Sequence, residues 1–389
     1  MSRIYLDYAA TTPVVPIVFD AMTPFFMQDF GNASSLHEFG IEARKAIEHA
    51  RETIATFLHV NSGSIFFTGS GTESDNMAIL GAVEKKSGSP VHVITSSIEH
   101  PAVLNTCKYL ESKGVDVTYI PVNQEGMIDA NDVEAAIRDD TAIISIHQAN
   151  NEIGTIQPVE AIGRIGREHG ISFHVDAVQS FGKIPVHIKD MEVSFLSASA
   201  HKIYGPKGVG LFFAADQESI VPILHGGPQE NGFRPSTENV PAIVGFGKAV
   251  EICGEIMNEE SERERNVLEY LIDHVLDEIN GSRLNGSRQD RLPNIANFCF
   301  DGLSGYDLVL ALDREGIACS TGSACHSHSA DPSHVLLALG LSKAEALSAI
   351  RVAIGRPTTL EDIDTFLEKL HQVIGELQRE SSSENDTSC

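Results

Sequence analysis

The first long segment with a regular spacing of apolar residues lies between positions 41 and 58. Its apolar residues recur every three to four positions, which is typical of a helix with one buried face. A short apolar run at 64–68 then leads into a glycine turn at 69–72, and helical spacing resumes over 73–85. This order of patterns predicts a strand, a glycine turn and a helix.

Further short apolar runs have the length and composition of buried strands. They occupy residues 91–95, 115–120, 142–146, 171–175, 193–196 and 209–213. Helical spacing separates most of these runs. Buried strands that alternate with helices predict an α/β fold with a mostly parallel seven-stranded sheet, covered on both faces. Ligands of such sheets bind at the carboxyl ends of the strands.

The pattern changes in the last third of the chain. We place a large domain at 16–255 and interpret the charged, helical stretch at 255–284 as the connector to a smaller α+β domain. Residues 1–15 and 256–378 are assigned to that smaller domain. The final residues, 379–389, lack apolar periodicity, so we expect a disordered tail there.

The charge of the chain argues against one class of partner. With 54 acidic and 28 basic residues, the formal charge is −26. Direct binding of nucleic acid requires clustered Lys and Arg side chains that neutralise phosphates, so we do not expect it. The acidic surface instead favours solubility or the docking of a basic partner.

The cysteines and the hydropathy pattern indicate a cytoplasmic protein. The cysteines form no CxxC pair and lie far apart, which is typical of reduced thiols. Asp7 stands where a signal peptide would be apolar. No apolar run approaches the roughly 20 residues that span a bilayer, so no membrane segment is expected. The cysteines are Cys107, Cys253, Cys299, Cys319, Cys325 and Cys389.

Lys202 is the first candidate for chemistry, because it follows a predicted strand and precedes a glycine-rich loop at 204–208. A lysine that loses its hydration there has a pKa below about 10.4 and becomes able to form a Schiff base with an aldehyde. Asp176 ends another predicted strand. Its carboxylate suits a protonated pyridine nitrogen, and a helix N-cap is the equally simple alternative.

The glycine turn at 69–72 adds a candidate phosphate site. A helix that begins there offers free backbone N–H groups and the positive end of its dipole to an anion. Glycine turns before helices are common, so the turn alone is weak evidence. Together with Asp176 and Lys202, however, it lies at the carboxyl end of a predicted strand of the same sheet, which favours one shared site.

Several short motifs follow one another along the chain. They are DYAATTP (7–13), FGNASSLH (30–37), TGSGTESDN (68–76), EHPAV (99–103), NNEIG (150–154), HVDAVQ (174–179), SAHKIYGPKG (199–208), RPSTEN (234–239) and TGSAC (321–325). Together they resemble the class I cysteine desulfurases of the NifS/IscS type, within the class-V aminotransferase family. They occur in the family's order, and the resemblance covers residue 4 to about residue 370. It implies the fold-type I fold of enzymes that use pyridoxal 5′-phosphate (PLP).

The resemblance also implies roles for individual residues around PLP. Lys202 is the lysine that binds the cofactor covalently, and Asp176 pairs with its pyridinium nitrogen. His100 stacks on the ring and moves protons, for which an ordinary histidine pKa of about 6.5 is suitable. Gln179 and Asn151 lie near the phenolic oxygen, with Asn151 also near the substrate. The residues expected at the phosphate are Gly71, Thr72, Ser199 and His201.

Cys325 is the nucleophile that the resemblance implies. It lies in a stretch, 320–334, that has few aliphatic residues and therefore little to anchor it in a core, so we expect a mobile loop. Only the thiolate attacks, and His326, His328 or His100 could favour that form. Cys319 is interpreted as a buried small residue. We do not expect a dedicated zinc site at the loop histidines and His334, but the resemblance allows Cys325 to act as a transient iron–sulfur ligand.

The substrate carboxylate requires a cation, and a planar guanidinium offers two parallel hydrogen bonds. Arg351 matches the family's carboxylate-binding arginine, and Arg356 is the weaker alternative. Ala200 and Ser236 depart from the glycines that are frequent in the family. The two histidines after Cys325 are the departure that leaves another substrate open.

The implied activity is the conversion of L-cysteine to L-alanine, with the sulfur held as a persulfide on Cys325. The implied acceptor is an iron–sulfur scaffold protein or an enzyme of tRNA thiolation. Thr237 matches a threonine that reaches the phosphate of the neighbouring subunit, which implies a homodimer. Selenocysteine lyase, a plain PLP transaminase and a catalytically silent scaffold are the alternatives.

Overall fold

The computed structural model of the chain describes residues 3–86, 90–322 and 331–386, with side chains up to Arg379. The predicted nucleophile Cys325, the neighbouring His326 and His328, and Cys389 lie outside the described residues.

Strands and helices alternate through most of the described chain. The strands are β1 Ile4–Tyr5, β2 Ile65–Thr68, β3 His92–Ser96, β4 Asp116–Ile120, β5 Thr141–His147, β6 Ser172–Asp176, β7 Phe195–Ser199, β8 Gly210–Ala214, β9 Ser282–Asn285, β10 Ile295–Phe300, β11 Ile317–Ala318 and β12 Ala349–Ala353. The helices are α1 Pro16–Met22, α2 Pro24–Met27, α3 Glu38–Leu58, α4 Gly71–Lys85, α5 Pro101–Glu111, α6 Ala130–Ala135, α7 Val159–Glu168, α8 Val240–Glu278, α9 Gly305–Arg314, α10 His334–Ala338, α11 Lys343–Leu347 and α12 Leu360–Asp386.

The central sheet has seven strands in the order β2-β8-β7-β6-β5-β3-β4. Strands β7, β6, β5, β3 and β4 are parallel, whereas β8 is antiparallel to both of its neighbours, β7 and β2. The predicted α/β fold with a mostly parallel seven-stranded sheet is confirmed. Each predicted strand lies within three residues of an observed one, because most of these strands are buried on both faces and are therefore continuous apolar segments in the sequence. The edge strand β4 is the exception, with only Ile120 buried.

A second, smaller hydrophobic core forms around the antiparallel sheet β12-β10-β9. Strand β1 pairs in parallel with β11, and Leu6 packs into this core. Strand β1 and Leu6 therefore pack with the last third of the chain.

Helix α8 joins the two cores and corrects the predicted connector. It begins at Val240, about 15 residues before the predicted start, and ends at Glu278. Val240 and Phe246 pack into the large core, whereas Leu268 and Leu271 pack into the small core. One helix thus belongs to both cores, so the predicted boundary at 255 falls inside it. Residues 282–285, which we included in the helical connector, form strand β9.

The end of the chain also differs from the prediction. We expected no regular structure from 379 onward, but α12 continues to Asp386. The packed first half of α12, with Phe366 and Leu370 in the small core, provides a helix that polar residues can extend. Each added residue gains a backbone hydrogen bond without a new nucleation cost.

Across residues 3–86, 90–322 and 331–386, no helix combines the length and the apolar character needed to cross a membrane.

Candidate active site

A cavity of about 290 Å³ lies at the carboxyl ends of the central strands. It is lined by 10 of the predicted site residues: Gly71, Thr72, His100, Asn151, Asp176, Gln179, Ser199, His201, Lys202 and Arg351. Thr237 is exposed and does not line the cavity. The parallel topology explains the convergence, because the loops that follow these strands meet at one edge of the sheet.

Lys202 lies in a short 3₁₀ turn, Ala200–Lys202, directly after β7. Its Nζ donates hydrogen bonds to the carbonyl oxygens of Ala9 (2.6 Å) and Ala10 (2.8 Å). Burial, followed by the positive charges of Lys183 and Arg351, lowers the pKa of Lys202 to about 7. A substantial fraction of the amine is therefore neutral and nucleophilic near neutral pH.

Asp176 is the last residue of β6 and is buried. Its Oδ1 accepts a hydrogen bond from the Val178 N–H at 2.8 Å, so the side chain also caps the turn that follows the strand. Burial raises the pKa of Asp176 to about 6, opposed by that hydrogen bond and by the positive charges of His147 and Lys202. A buried carboxylate of this kind is stabilised by a cation that binds next to it.

His100 is the N-cap of α5, and its Nδ1 accepts a hydrogen bond from the Ala102 N–H at 3.1 Å. Burial, together with the nearby charges of Lys202 and His147, lowers the pKa of His100 to about 4. The expectation of an ordinary histidine pKa is therefore wrong. Since Nδ1 is an acceptor, the proton of the neutral ring is assigned to Nε2.

The amino-terminal end of α4 forms one wall of the cavity. The Ser70 Oγ caps the helix by accepting the Glu73 N–H at 3.1 Å. The N–H groups of Gly71 and Thr72 belong to the first turn, where a helix provides no internal acceptors. A Cβ on Gly71 would lie 2.5 Å from Cγ2 of Val178, so the close packing requires glycine. The geometry suits an anion such as a phosphate.

Arg351 lies in β12 of the small sheet and reaches into the cavity from the opposite side. Its Nη2 is 2.7 Å from Oδ1 of Asp7, and its Nη1 donates to the carbonyl oxygens of Asn151 (2.9 Å) and Gly322 (3.3 Å). Arg356 lies elsewhere, stacked on the Tyr204 ring with 4.3 Å to its centroid. Of the two candidates, Arg351 is therefore the arginine at the cavity.

Four buried polar atoms of the cavity walls have no hydrogen-bond partner among the described residues. They are Asp75 Oδ1, His147 Nε2, Gln179 Oε1 and Arg351 Nε. Burying an unpaired polar atom costs about 1–3 kcal/mol, so such atoms indicate a place for a polar ligand. An amine, a carboxylate and a helix N-terminus around one cavity fit the aldehyde, the ring nitrogen and the phosphate of PLP.

The predicted loop begins and ends at this cavity. Gly322, near its start, is held by Arg351, and His334, its last residue, places Nε2 3.0 Å from the carbonyl oxygen of Glu99. The hydroxyl of Ser333 donates to Oε2 of Glu152 at 2.6 Å. Cys325 itself lies outside the described residues and follows Gly322 by three positions in the sequence.

Sequence reasoning missed Asp75, Glu99, Glu152 and His147. Each is polar and at least 95% buried. His147 ends β5 and pairs in register with Asp176. A polar residue directly after the predicted strand 142–146 was the available signal for His147.

The other described cysteines are not candidates for the nucleophile. Cys107, Cys253, Cys299 and Cys319 are all buried. Burial raises the pKa of Cys319 to about 12, which keeps this thiol protonated. The interpretation of Cys319 as a buried small residue is confirmed. Within the described parts of the chain, no group of three or more His, Cys, Asp or Glu side chains could hold a metal ion.

A comparison with family models agrees with the geometry. The model described as aminotransferase class-V matches residues 4–366. The chain belongs to the class-V aminotransferase family. The predicted family and fold are confirmed.

Similar members of the class-V aminotransferase family are named as desulfurases. The cysteine desulfurase IscS of Dictyoglomus turgidum is 48% identical over 97% of this chain and 95% of its own length. The cysteine desulfurase IscS of Methanosarcina thermophila is 44% identical over 97% of this chain and 93% of its own length. A NifS-like protein of known structure superposes with a TM-score of 0.91 at 38% identity, covering 96% of this chain and 100% of its own. The structure of SspA in complex with cysteine superposes with a TM-score of 0.82 at 42% identity, covering 90% of this chain and 98% of its own.

Proposed function

We propose that this protein is a PLP-dependent cysteine desulfurase that converts L-cysteine to L-alanine and transfers the sulfur as a persulfide on Cys325. The observation that carries the proposal is the cavity in which Lys202, Asp176, His100 and Arg351 meet. Gly322, three positions before Cys325 in the sequence, lies at its wall. The names of the similar family members support the same activity.

The residues of the cavity fit PLP as the cofactor. Lys202 would hold its aldehyde, Asp176 its ring nitrogen, and the first turn of α4 its phosphate, with Ser199 and His201 beside that turn. When bound, PLP supplies an electron sink that makes the bonds at the substrate Cα and Cβ labile. The neutral form of Lys202 suits the capture of an aldehyde, and the buried walls exclude bulk water.

Arg351 and His100 are the proposed substrate-handling residues. The guanidinium of Arg351 would bind the carboxylate of cysteine, and Asp7 orients it through the 2.7 Å contact. The neutral imidazole of His100 carries its proton on Nε2, so it would donate a hydrogen bond from that atom to the cofactor or the substrate. Loss of this proton would leave an imidazolate, so the proposed role of the neutral His100 is to orient and polarise its partner rather than to act as a general acid.

Cys325 would receive the sulfur. Its thiolate attacks the sulfur of the bound cysteine, a new S–S bond forms, and the C–S bond of the substrate breaks. The thiol of Cys325 and L-cysteine thus become a persulfide and L-alanine, with no external oxidant. The persulfide would then pass to an iron–sulfur scaffold protein or another acceptor.

We further propose a homodimer in the cytoplasm. Seven large apolar side chains in and after α1 and α2 are exposed in the single chain, and exposed apolar patches are typical of interaction surfaces. A second copy is the proposed occupant, because Thr237 is exposed outside its own cavity and would serve the neighbouring one. The exposed residues are Ile17, Phe19, Phe26, Met27, Phe30, Leu36 and Phe39.

The activity is tested by incubating the PLP-loaded protein with L-cysteine and a reductant and measuring alanine and sulfide together. The proposal predicts equal amounts of both. A parallel reaction with L-selenocysteine tests the lyase alternative, which predicts turnover of selenocysteine without turnover of cysteine. Formation of a keto acid without sulfide would instead identify a transaminase and contradict the proposal.

A further inference from the structure

His147 lies directly beside Asp176 at the base of the cavity. The two residues are register partners in the parallel strands β5 and β6, and both line the cavity. The side chain of His147 is only 3% exposed. Its Nε2 has no hydrogen-bond partner among the described residues. A buried, unpaired ring nitrogen beside the proposed ring-nitrogen partner calls for a functional explanation.

Glu99 fixes the other side of the imidazole. Its Oε2 lies 3.2 Å from Nδ1 of His147 and also accepts the backbone N–H of His147 at 2.9 Å. Its Oε1 accepts a hydrogen bond from the Ser96 hydroxyl at 2.5 Å. Glu99 is fully buried, and both of its carboxyl oxygens have partners. It therefore holds the imidazole of His147 with Nδ1 toward Glu99 and Nε2 away from it.

The charges around this pair favour a cationic imidazole. Burial lowers the pKa of His147, but Glu99 and, more weakly, Asp176 outweigh it, and the pKa is raised above its usual value. Asp75 is also buried near Asp176, whose charge raises the pKa of Asp75. At Asp176 itself, burial and the charge of Glu99 raise the pKa, and the cations His147 and Lys202 oppose them.

Two other buried histidines of the sheet provide a contrast. In His92 and in His174, both ring nitrogens pair with hydroxyl groups at 2.8–2.9 Å. Burial lowers the pKa of each. These are neutral core histidines with complete hydrogen bonding. His174 also has Oδ1 of Asp75 at 3.6 Å from its Nε2. His147 differs in the closer contact of its Nδ1 with Glu99, its unpaired Nε2 and its place at the cavity.

We propose that His147, held by Glu99, is a positioning residue that keeps the Asp176 carboxyl ionised and ready for the ring nitrogen of the cofactor. The inference rests on the proposed PLP site. Lys202 binds the aldehyde in any case, whereas the Glu99–His147 pair sets the pH range over which Asp176 can hold a protonated pyridine ring.

The sign of the effect follows from proton linkage. Without the cation at position 147, the pKa of Asp176 rises further above about 6. At pH values between the pKa of Asp176 in the native protein and its pKa in the variant, the carboxyl of the variant is protonated. It must then lose its proton before it can pair with a pyridinium. The affinity for PLP therefore falls in this pH window and recovers above it. One unit of pKa corresponds to about a tenfold change in affinity.

The test compares His147→Gln, and His147→Met as a second variant, with His92→Gln as the matched buried-histidine control. PLP is removed from each protein, and its dissociation constant is measured by absorbance between pH 6 and pH 9. Each variant is also titrated with 1-deaza-pyridoxal phosphate, in which a carbon replaces the ring nitrogen. Circular dichroism establishes that each variant is folded.

We expect the variants at position 147 to bind PLP about tenfold more weakly than the native protein near pH 7 and equally well near pH 9. Binding of the 1-deaza analogue should not weaken, and His92→Gln should behave as the native protein does. A loss of affinity that is independent of pH, or that is equal for the analogue, would overturn the inference. A native protein that binds no PLP would instead overturn the proposed function itself.

Discussion

The residues at the cavity show which properties a sequence reveals. Lys202 and Asp176 could be predicted because each follows a strand, and strand ends converge in a parallel sheet. Their pKa values could not be predicted, since these depend on burial and on charges from distant parts of the chain. His100 is an example: its neighbours Lys202 and His147 lie 102 and 47 positions away and contribute to a pKa of about 4.

The lowered pKa of Lys202 predicts how the capture of PLP depends on pH. Only the neutral amine attacks the aldehyde, so the rate constant should rise with pH through about 7 and level off above it. Stopped-flow absorbance of the cofactor-free protein mixed with PLP measures this rate constant. An inflection near the ordinary lysine value of about 10.4 would contradict the assigned environment of Lys202.

Arg351→Lys tests the proposed carboxylate site. Lysine keeps the charge but loses the planar pair of donors. The loss of one charge-assisted hydrogen bond, about 1.5–3 kcal/mol, should raise KM for L-cysteine by about ten- to hundredfold, with a smaller change in kcat. Steady-state kinetics measure both. Arg356→Lys is the control. An equal rise in the KM of this variant would contradict the assignment of the substrate carboxylate to Arg351.

At the scale of elements, the buried strands were the most predictable part of the chain. Their apolar runs are short and bounded by glycines or polar residues, so their limits can be read directly. Helix α8 was less predictable, because its first part is apolar and buried in the large core whereas its second part is charged. A change in composition marked the change of core and not the start of the helix.

The packing of α8 against α3 predicts opposite effects for two glycines of one helix. A Cβ on Gly247 would lie 2.8 Å from Cα of Ala50, whereas a Cβ on Gly254 would meet only the Phe57 ring at 3.7 Å. Gly247→Ala should lower the free energy of unfolding by about 1–3 kcal/mol. Gly254→Ala should raise it by about 0.5–1 kcal/mol through helix propensity. Urea denaturation compares them, and equal effects would contradict this packing.

At the scale of the whole molecule, the chain has a large negative charge and an apolar face formed by the exposed residues in and after α1 and α2. The formal charge of −26 was readable from composition, and it suits a basic acceptor protein. The apolar face was not apparent from the sequence, because the exposed residues of α1 and α2 have the same composition as buried ones. Only the fold distinguishes the two sets.

The proposed dimer is tested by combining Phe26→Glu with Met27→Glu, two residues that are 59% and 68% exposed in the single chain. The added negative charges should oppose association of the two subunits. PLP binding should then weaken, because Thr237 of one subunit no longer reaches the cavity of the other. Light scattering coupled to size exclusion measures the mass. Tyr306→Glu, on α9, is the control and should leave the dimer intact. A native protein that is monomeric and fully active would contradict the proposal.

The transfer of sulfur to Cys325 is the central claim, and one measurement tests it most directly. The PLP-loaded protein is mixed with one equivalent of L-cysteine without reductant, its thiols are alkylated, and its peptides are examined by mass spectrometry beside Cys325→Ala and Cys319→Ala. We expect one added sulfur atom on the Cys325 peptide in the native protein and in Cys319→Ala, and none in Cys325→Ala. Alanine formation that persists in Cys325→Ala, or added sulfur on another cysteine, would contradict the account.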